Sequence, residues 1–281
     1  MPETAIIDTH VHLWDPARPH YPWLTGNAIL DRPYLPADYR EASGGTEVDG
    51  FVFVECDALP SASLPEAEWV SALASAEPRI KAIVAAAQLE KGGSVEADLA
   101  ALSKLPLVRG VRRILQAEEP DFCLRPDFIE GVRLLADFGL SFDVCVNYRQ
   151  MASVVKLVEA VPDVAMILDH IGKPAIAEGL MEPWASQMQA LAAFPNVTCK
   201  ISGVANEAGQ NWMPDDLKPY LDVAFDAFGF GRTMFGGDWP VALLATRLGD
   251  WIALLDERLR GVPAADRQRF WRDNAIRVYR L

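Results

Sequence analysis

The sequence predicts a single (β/α)8 barrel of parallel strands spanning residues 1–281, and three observations carry that expectation. Short apolar runs alternate with longer amphipathic ones eight times along the chain, the pattern of strands buried on both faces and joined by helical crossovers. A length of 281 residues fits one undivided barrel. The first apolar run is not followed by the Gly-rich turn that marks the alternative, a doubly wound open sheet.

The expected strands are Ala5–His10, Gly50–Cys56, Ile80–Ala86, Val108–Leu115, Ser141–Asn147, Val164–His170, Val197–Ser202 and Thr233–Asp238. Each is a short, largely apolar run of six to eight residues, a length that suits a strand. The intervening helices are expected at Glu66–Ala76, Val95–Leu105, Asp127–Phe138, Gln150–Ala160, Pro183–Phe194, Leu217–Phe228 and Leu248–Leu259, where apolar residues recur at helical spacing. A last helix over Ala264–Tyr279 closes the chain.

Composition narrows the function. Half of the residues are hydrophobic (51%), which supports a large core, and the formal net charge of −13 argues against nucleic acid and anionic membrane surfaces as partners. No apolar run is long enough to span a bilayer, and the N-terminus "MPETAIIDTH" lacks the basic and long apolar segments of a secretory signal. Cys56, Cys123, Cys145 and Cys199 are scattered without a C-x-x-C pair, so a reduced, cytoplasmic protein with free thiols is expected. Homo-oligomer formation is left open by pattern alone.

In such barrels the chemistry sits at the C-terminal strand ends. Read in order, those ends carry His10 and His12, Glu55 with Asp57, Gln88, Arg112 and Arg113, Asn147 to Arg149, Asp169 with His170, Lys200 with Ser202, and Asp238 with Trp239. The opposite ends start with residues such as Val48, Lys81 and Pro162, which form no comparable set. Residues i and i+2 of a strand face one side, so His10 and His12 are expected in the barrel mouth, where paired imidazoles suit a divalent transition metal or a polar substrate. Asp238, after two glycines at the rim, needs a cation, a histidine or a water as partner, because buried carboxylates are rarely left unpaired.

The D-T-H-x-H at strand one, the D-H-x-G-K-P after strand six and the G-x-D-W-P at strand eight resemble the amidohydrolase superfamily, and within it the sugar-lactonase branch. The likeness extends through "LWDPARPHYPWL", "LVRGVRRIL", "GLSFDVCV", "FPNVTCKISG" and the terminal "DNAIRVYRL", nearly the whole chain. The resemblance implies a (β/α)8 hydrolase that opens lactones of sugar acids. It implies His10 and His12 as a metal-binding pair, Asp238 as general base and metal contact, His170 as a catalytic histidine, and Glu55 as a further metal position. The sequence departs from two-metal members: strand four ends "VRRILQ" without lysine and strand five "CVNYRQ" without histidine, and His20 lies in the long first loop. One divalent metal ion, zinc, is therefore expected, with a metal-free version as the alternative.

A small-molecule sugar lactone is the expected partner. Arg112 or Arg113, whichever faces inward, suits its oxygens. Trp14, Trp23 and Trp239 either offer apolar faces to a sugar ring or pack the first loop on the barrel, and Lys173 either reaches the site or stays solvated. Tyr21, Tyr148 and Arg149 are further rim candidates. The rival readings are a decarboxylase on the same barrel, a metal-dependent nuclease, which the acidic charge opposes, and a barrel that binds sugar acids without turnover.

Overall fold

The computed structural model describes residues 2–18, 21–209 and 211–281, so His20 lies outside the described residues. Its eight strands are β1 (Ile6–Val11), β2 (Val48–Val54), β3 (Ile80–Ala86), β4 (Val108–Ile114), β5 (Ser141–Cys145), β6 (Met166–Leu168), β7 (Val197–Ile201) and β8 (Thr233–Phe235). They form one parallel sheet in sequential order. The sheet closes where Val11 bridges Trp239 and where the Asp238 and His12 amides donate to the His10 and Trp239 carbonyls, each at 2.8 Å. This is the (β/α)8 barrel that the alternating pattern predicts.

The helices follow the strands: α1 (Pro36–Ala42), α2 (Ser63–Ala74), α3 (Glu96–Leu102), α4 (Pro126–Asp137), α5 (Met151–Ala160), α6 (Trp184–Ala192), α7 (Pro214–Phe228) and α8 (Leu248–Arg258). Helix α1 escapes the sequence pattern because it spans two turns and buries only Tyr39. The expected last helix is instead α9 (Ala264–Gln268), a π-helical turn over Arg269–Asp273 and α10 (Asn274–Tyr279), which places Phe270 and Trp271 side by side against the barrel.

A small apolar cluster of Ile7, Val52, Val54, Ala82, Val84, Ile167 and Met234 fills one end of the barrel and is sealed by Ala275 and Tyr279 of α10. A larger one packs the outer sheet face on the helices. At the other end the interior turns polar: Arg112, Asp143, Asp169 and Lys200 are all buried. Strands β2, β4, β5, β6, β7 and β8 stop one to three residues short of their expected ends. Strands β6 and β8 end at Leu168 and Phe235 because His170, Ile171 and Asp238 turn to φ 53°, 49° and 52°, a left-handed backbone that cannot continue a parallel ladder.

Candidate active site

Three strand ends converge on Asp238. Its Oδ1 lies 3.5 Å from His12 Nε2, 3.7 Å from His10 Nε2 and 3.9 Å from His170 Nε2. The β1–β2 ladder has a register shift between Asp8 and Val11, a bulge of the kind that re-aims side chains beside functional sites. Gly203, after β7, makes room for the cluster. A Cβ built there would lie 2.6 Å from His170 Nδ1 and 3.1 Å from Asp238 Oδ2.

The other ring nitrogens are tied down. His12 Nδ1 sits 2.8 Å from the Val54 carbonyl, which only accepts, so this nitrogen carries a proton, and Nε2 faces Asp238 Oδ1 at 3.5 Å. His170 Nδ1 pairs with Ser202 Oγ at 2.9 Å, and His10 Nδ1 lies 3.4 Å from Asp169 Oδ1. Partners of this kind orient imidazoles for a metal. Ligands at 2.0–2.1 Å in a tetrahedron stand about 3.4 Å apart, close to the spacings around Asp238. His10, His170 and Asp238 each offer a ligand atom within 4.8 Å of the others, and Cys145, Asp169 and His170 form a second such group. The residues of the first group fit one ion. The first group pairs His10 and Asp238 with His170, while His12 borders it through Asp238 and through edge-on contact with the His10 ring.

Glu55 sits differently from its expected place. Its Oε1 accepts from Arg112 Nε at 2.6 Å and its Oε2 from the Asp57 amide at 2.7 Å, so one oxygen holds Arg112 and the other the loop after β2. The inward arginine is Arg112. Strand alternation sends Arg113 to the outer face, where it pairs with Glu90 and Glu118. Arg112 also reaches Asp169 Oδ2 at 3.4 Å and His10 Nε2 at 3.2 Å. Beneath lies a buried ion network: Lys200 Nζ is 2.6 Å from Asp143 Oδ2 and 3.0 Å from Asp169 Oδ1, and the Tyr279 hydroxyl of α10 donates to Asp143 at 2.7 Å.

Charge states follow from these contacts. Burial pushes His10 and His170 well below the usual imidazole range, so both are neutral near pH 7. Burial works against ionised Asp238, but His170 and His12 outweigh it and hold its carboxyl below the ordinary value. The site therefore offers a carboxylate base beside the neutral imidazoles of His10 and His170. Burial likewise opposes the Lys200 ammonium, and Asp143 and Asp169 keep it charged.

Above Asp238 opens a cavity with about 630 Å³ of empty space, lined by His12, Trp23, Asp57, Arg112, Gln116, Cys145, His170, Lys173, Asn206, Glu207 and Asp238 among others. Lys173 Nζ is 2.6 Å from Gln116 Oε1 and 3.8 Å from Glu207. Of the expected aromatics, only Trp23 reaches this cavity, its indole N–H bonded to the Cys56 carbonyl at 2.8 Å. Trp14 and Trp239 are buried and stack edge-on against Tyr34, packing the first loop on the barrel. Gln116, Asn206 and Glu207 do not stand out in the sequence. They sit in βα loops past the strand ends, and the signal for the latter two is "SGVANEAG", a polar loop directly after β7.

A parallel eight-stranded barrel whose strand ends gather three histidines and an aspartate defines the class of protein. The chain matches the amidohydrolase family over residues 7–281 and belongs to it. It is 33% identical to the L-fucono-1,5-lactonase of Burkholderia ambifaria, over 99% of this chain and 96% of that one. It is 29% identical to an uncharacterized protein of Sinorhizobium fredii over the full length of both. A crystallised amidohydrolase of Burkholderia multivorans with bound zinc superposes with a TM-score of 0.90 at 31% identity, covering 99% of this chain and 100% of that one. Among the described residues, no helix is long and apolar enough to cross a membrane.

Proposed function

We propose that the chain hydrolyses the lactone of a sugar acid to the free aldonic acid. The observation that carries this reading is the Asp238 carboxylate, held ionised at the floor of a polar cavity with three imidazole Nε2 atoms 3.5–3.9 Å away. The likeness to a named lactonase supports the substrate class.

Asp238 takes a proton from a water placed between it and the lactone carbonyl, within the hydrogen-bond reach that a general base needs. The oxygen so freed attacks the carbonyl carbon, and the acyl–oxygen bond of the ring breaks. The proton on Asp238 then passes to the ring oxygen, which leaves as a hydroxyl on the same molecule. Lys173 lines the cavity as its cation and supplies positive charge where the carbonyl oxygen becomes an oxyanion. Arg112, neutralised by Glu55 and Asp169, orients His10 and the cavity wall. His10, His170 and Asp238, bordered by His12, would hold one divalent ion. Such an ion lowers the pKa of water and polarises a carbonyl.

A pH-indicator assay on a panel of aldono-1,4- and 1,5-lactones, with metal content measured on the purified protein, tests the substrate class. Acid release above the spontaneous rate from at least one lactone is expected, with about one divalent ion per chain. A panel without turnover overturns the substrate class.

A further inference from the structure

We propose that the barrel mouth carries a second sugar subsite beside the catalytic cavity, so that the chain accepts lactones bearing an additional glycosyl unit. The inference rests on the lactonase reading above and deepens it. A second cavity, with about 570 Å³ of empty space, opens over the ends of β2, β3 and β4 and shares Asp57, Arg112 and Ile114 with the catalytic cavity. No residue of the Asp238 cluster lines it.

Strand β3 is the key to its purpose. Every other strand end or the loop after it gives a described residue to the catalytic cavity; β3 gives none. Its polar end residue, Gln88, lines the second cavity instead. Among the described residues the Gln88 amide makes no side-chain hydrogen bond, so two donors and one acceptor are unspent. The Asp57 carboxylate is likewise without a hydrogen bond there. Asp57 holds φ 51°, fixed by its amide donating to Glu55 Oε2, and this strained backbone sets a carboxylate at the junction of the two cavities. Carboxylates and planar amides are the groups that read hydroxyls. Ala58, Pro60, Ala86 and Ala87 add small apolar faces for the C–H side of a ring.

The chemistry says which occupant fits. Opening a lactone keeps both ends in one molecule, so no leaving fragment needs a pocket. What fills a cavity next to the reacting ring is a substituent on that ring. Hydroxyl-reading groups with no free cation among them point to an uncharged sugar, since the Arg113 guanidinium on the wall is spent on Glu90 and Glu118.

The experiment takes the best simple lactone of the panel and derivatives of it carrying one glucosyl unit on each ring hydroxyl in turn. For at least one derivative, kcat/KM is expected to equal or exceed that of the simple lactone. Gln88→Trp, which fills the second cavity, is expected to lower the ratio of derivative to simple kcat/KM at least tenfold. Gln88→Ala, which folds with less risk, is expected to raise KM for the derivative severalfold. Turnover of the simple lactone with every derivative at least tenfold poorer overturns the subsite and leaves the lactonase reading standing. A ratio that neither substitution moves overturns the subsite in the same way. A panel without any turnover sinks the lactonase reading itself.

Discussion

Lys173 enters the cavity from a left-handed backbone, φ 45°, as the last of three residues after β6 that carry side chains and hold positive φ. Burial opposes its charge, and Glu207 and Asp238 hold it above the ordinary lysine value. Lys173→Met is expected to lower kcat/KM for the lactone about 10²-fold with an unchanged circular dichroism spectrum. A change within twofold would remove Lys173 from the chemistry. A second residue sets a pH dependence of stability. Glu66 of α2 is buried and accepts from the Cys56 amide, and burial, then Glu55, raise its carboxyl to about 8. An acid whose folded pKa is raised contributes its stability below the unfolded value near 4.5 and loses it as pH climbs towards 8. Thermal melts from pH 5 to pH 8 should therefore show a fall in Tm that Glu66→Gln flattens; an equal slope in both proteins would contradict the assignment. The grouping of histidines with Asp238 was legible because histidine is scarce, with His10 and His12 two residues apart, and because Asp238 follows two glycines at a strand end. Glu66 and Glu207 were not, since a glutamate in a helix or loop reads as a solvated charge until burial is known.

At the scale of elements, the seam between β1 and β8 decides where Asp238 stands. Asp8 Oδ1 accepts from the Gly237 amide at 2.7 Å and the His10 amide at 3.0 Å, and Asp8 Oδ2 accepts the Tyr39 hydroxyl of α1 at 2.9 Å. Helix α1, the element absent from the sequence pattern, thus clamps the two strand ends that carry His10 and Asp238. Tyr39→Phe leaves a buried carboxylate oxygen short of a donor, at a cost of about 1–3 kcal/mol read by denaturant unfolding. A loss below about 0.3 kcal/mol would mean the clamp contributes nothing. The existence and order of the eight strands were legible because largely apolar runs alternate with helical spacing, though six of the strands end one to three residues earlier than the pattern suggests. The ends of β6 and β8 were not legible, because the left-handed backbone at His170 and Asp238 leaves no mark in the local residue pattern.

Across the whole molecule, the barrel divides its interior into an apolar end sealed by α10 and a polar end that holds the Asp238 cluster. The Tyr279–Asp143–Lys200–Asp169–His10 chain of contacts joins the two, so α10 supports the His10 end of the cluster from below. The barrel was readable from alternation and length. The interior network was not, because Asp143 and Lys200 lie within strands whose inward face emerges only when the sheet closes. The proposed chemistry depends most directly on Asp238. Acid release from the best lactone of the panel, followed for the wild-type chain and for Asp238→Asn at equal metal loading, tests it. Loss of about 10²–10⁴-fold in kcat with KM little changed is the result expected of a missing general base. An Asp238→Asn protein that turns over the lactone within tenfold of wild type would contradict the assignment of Asp238 as the base.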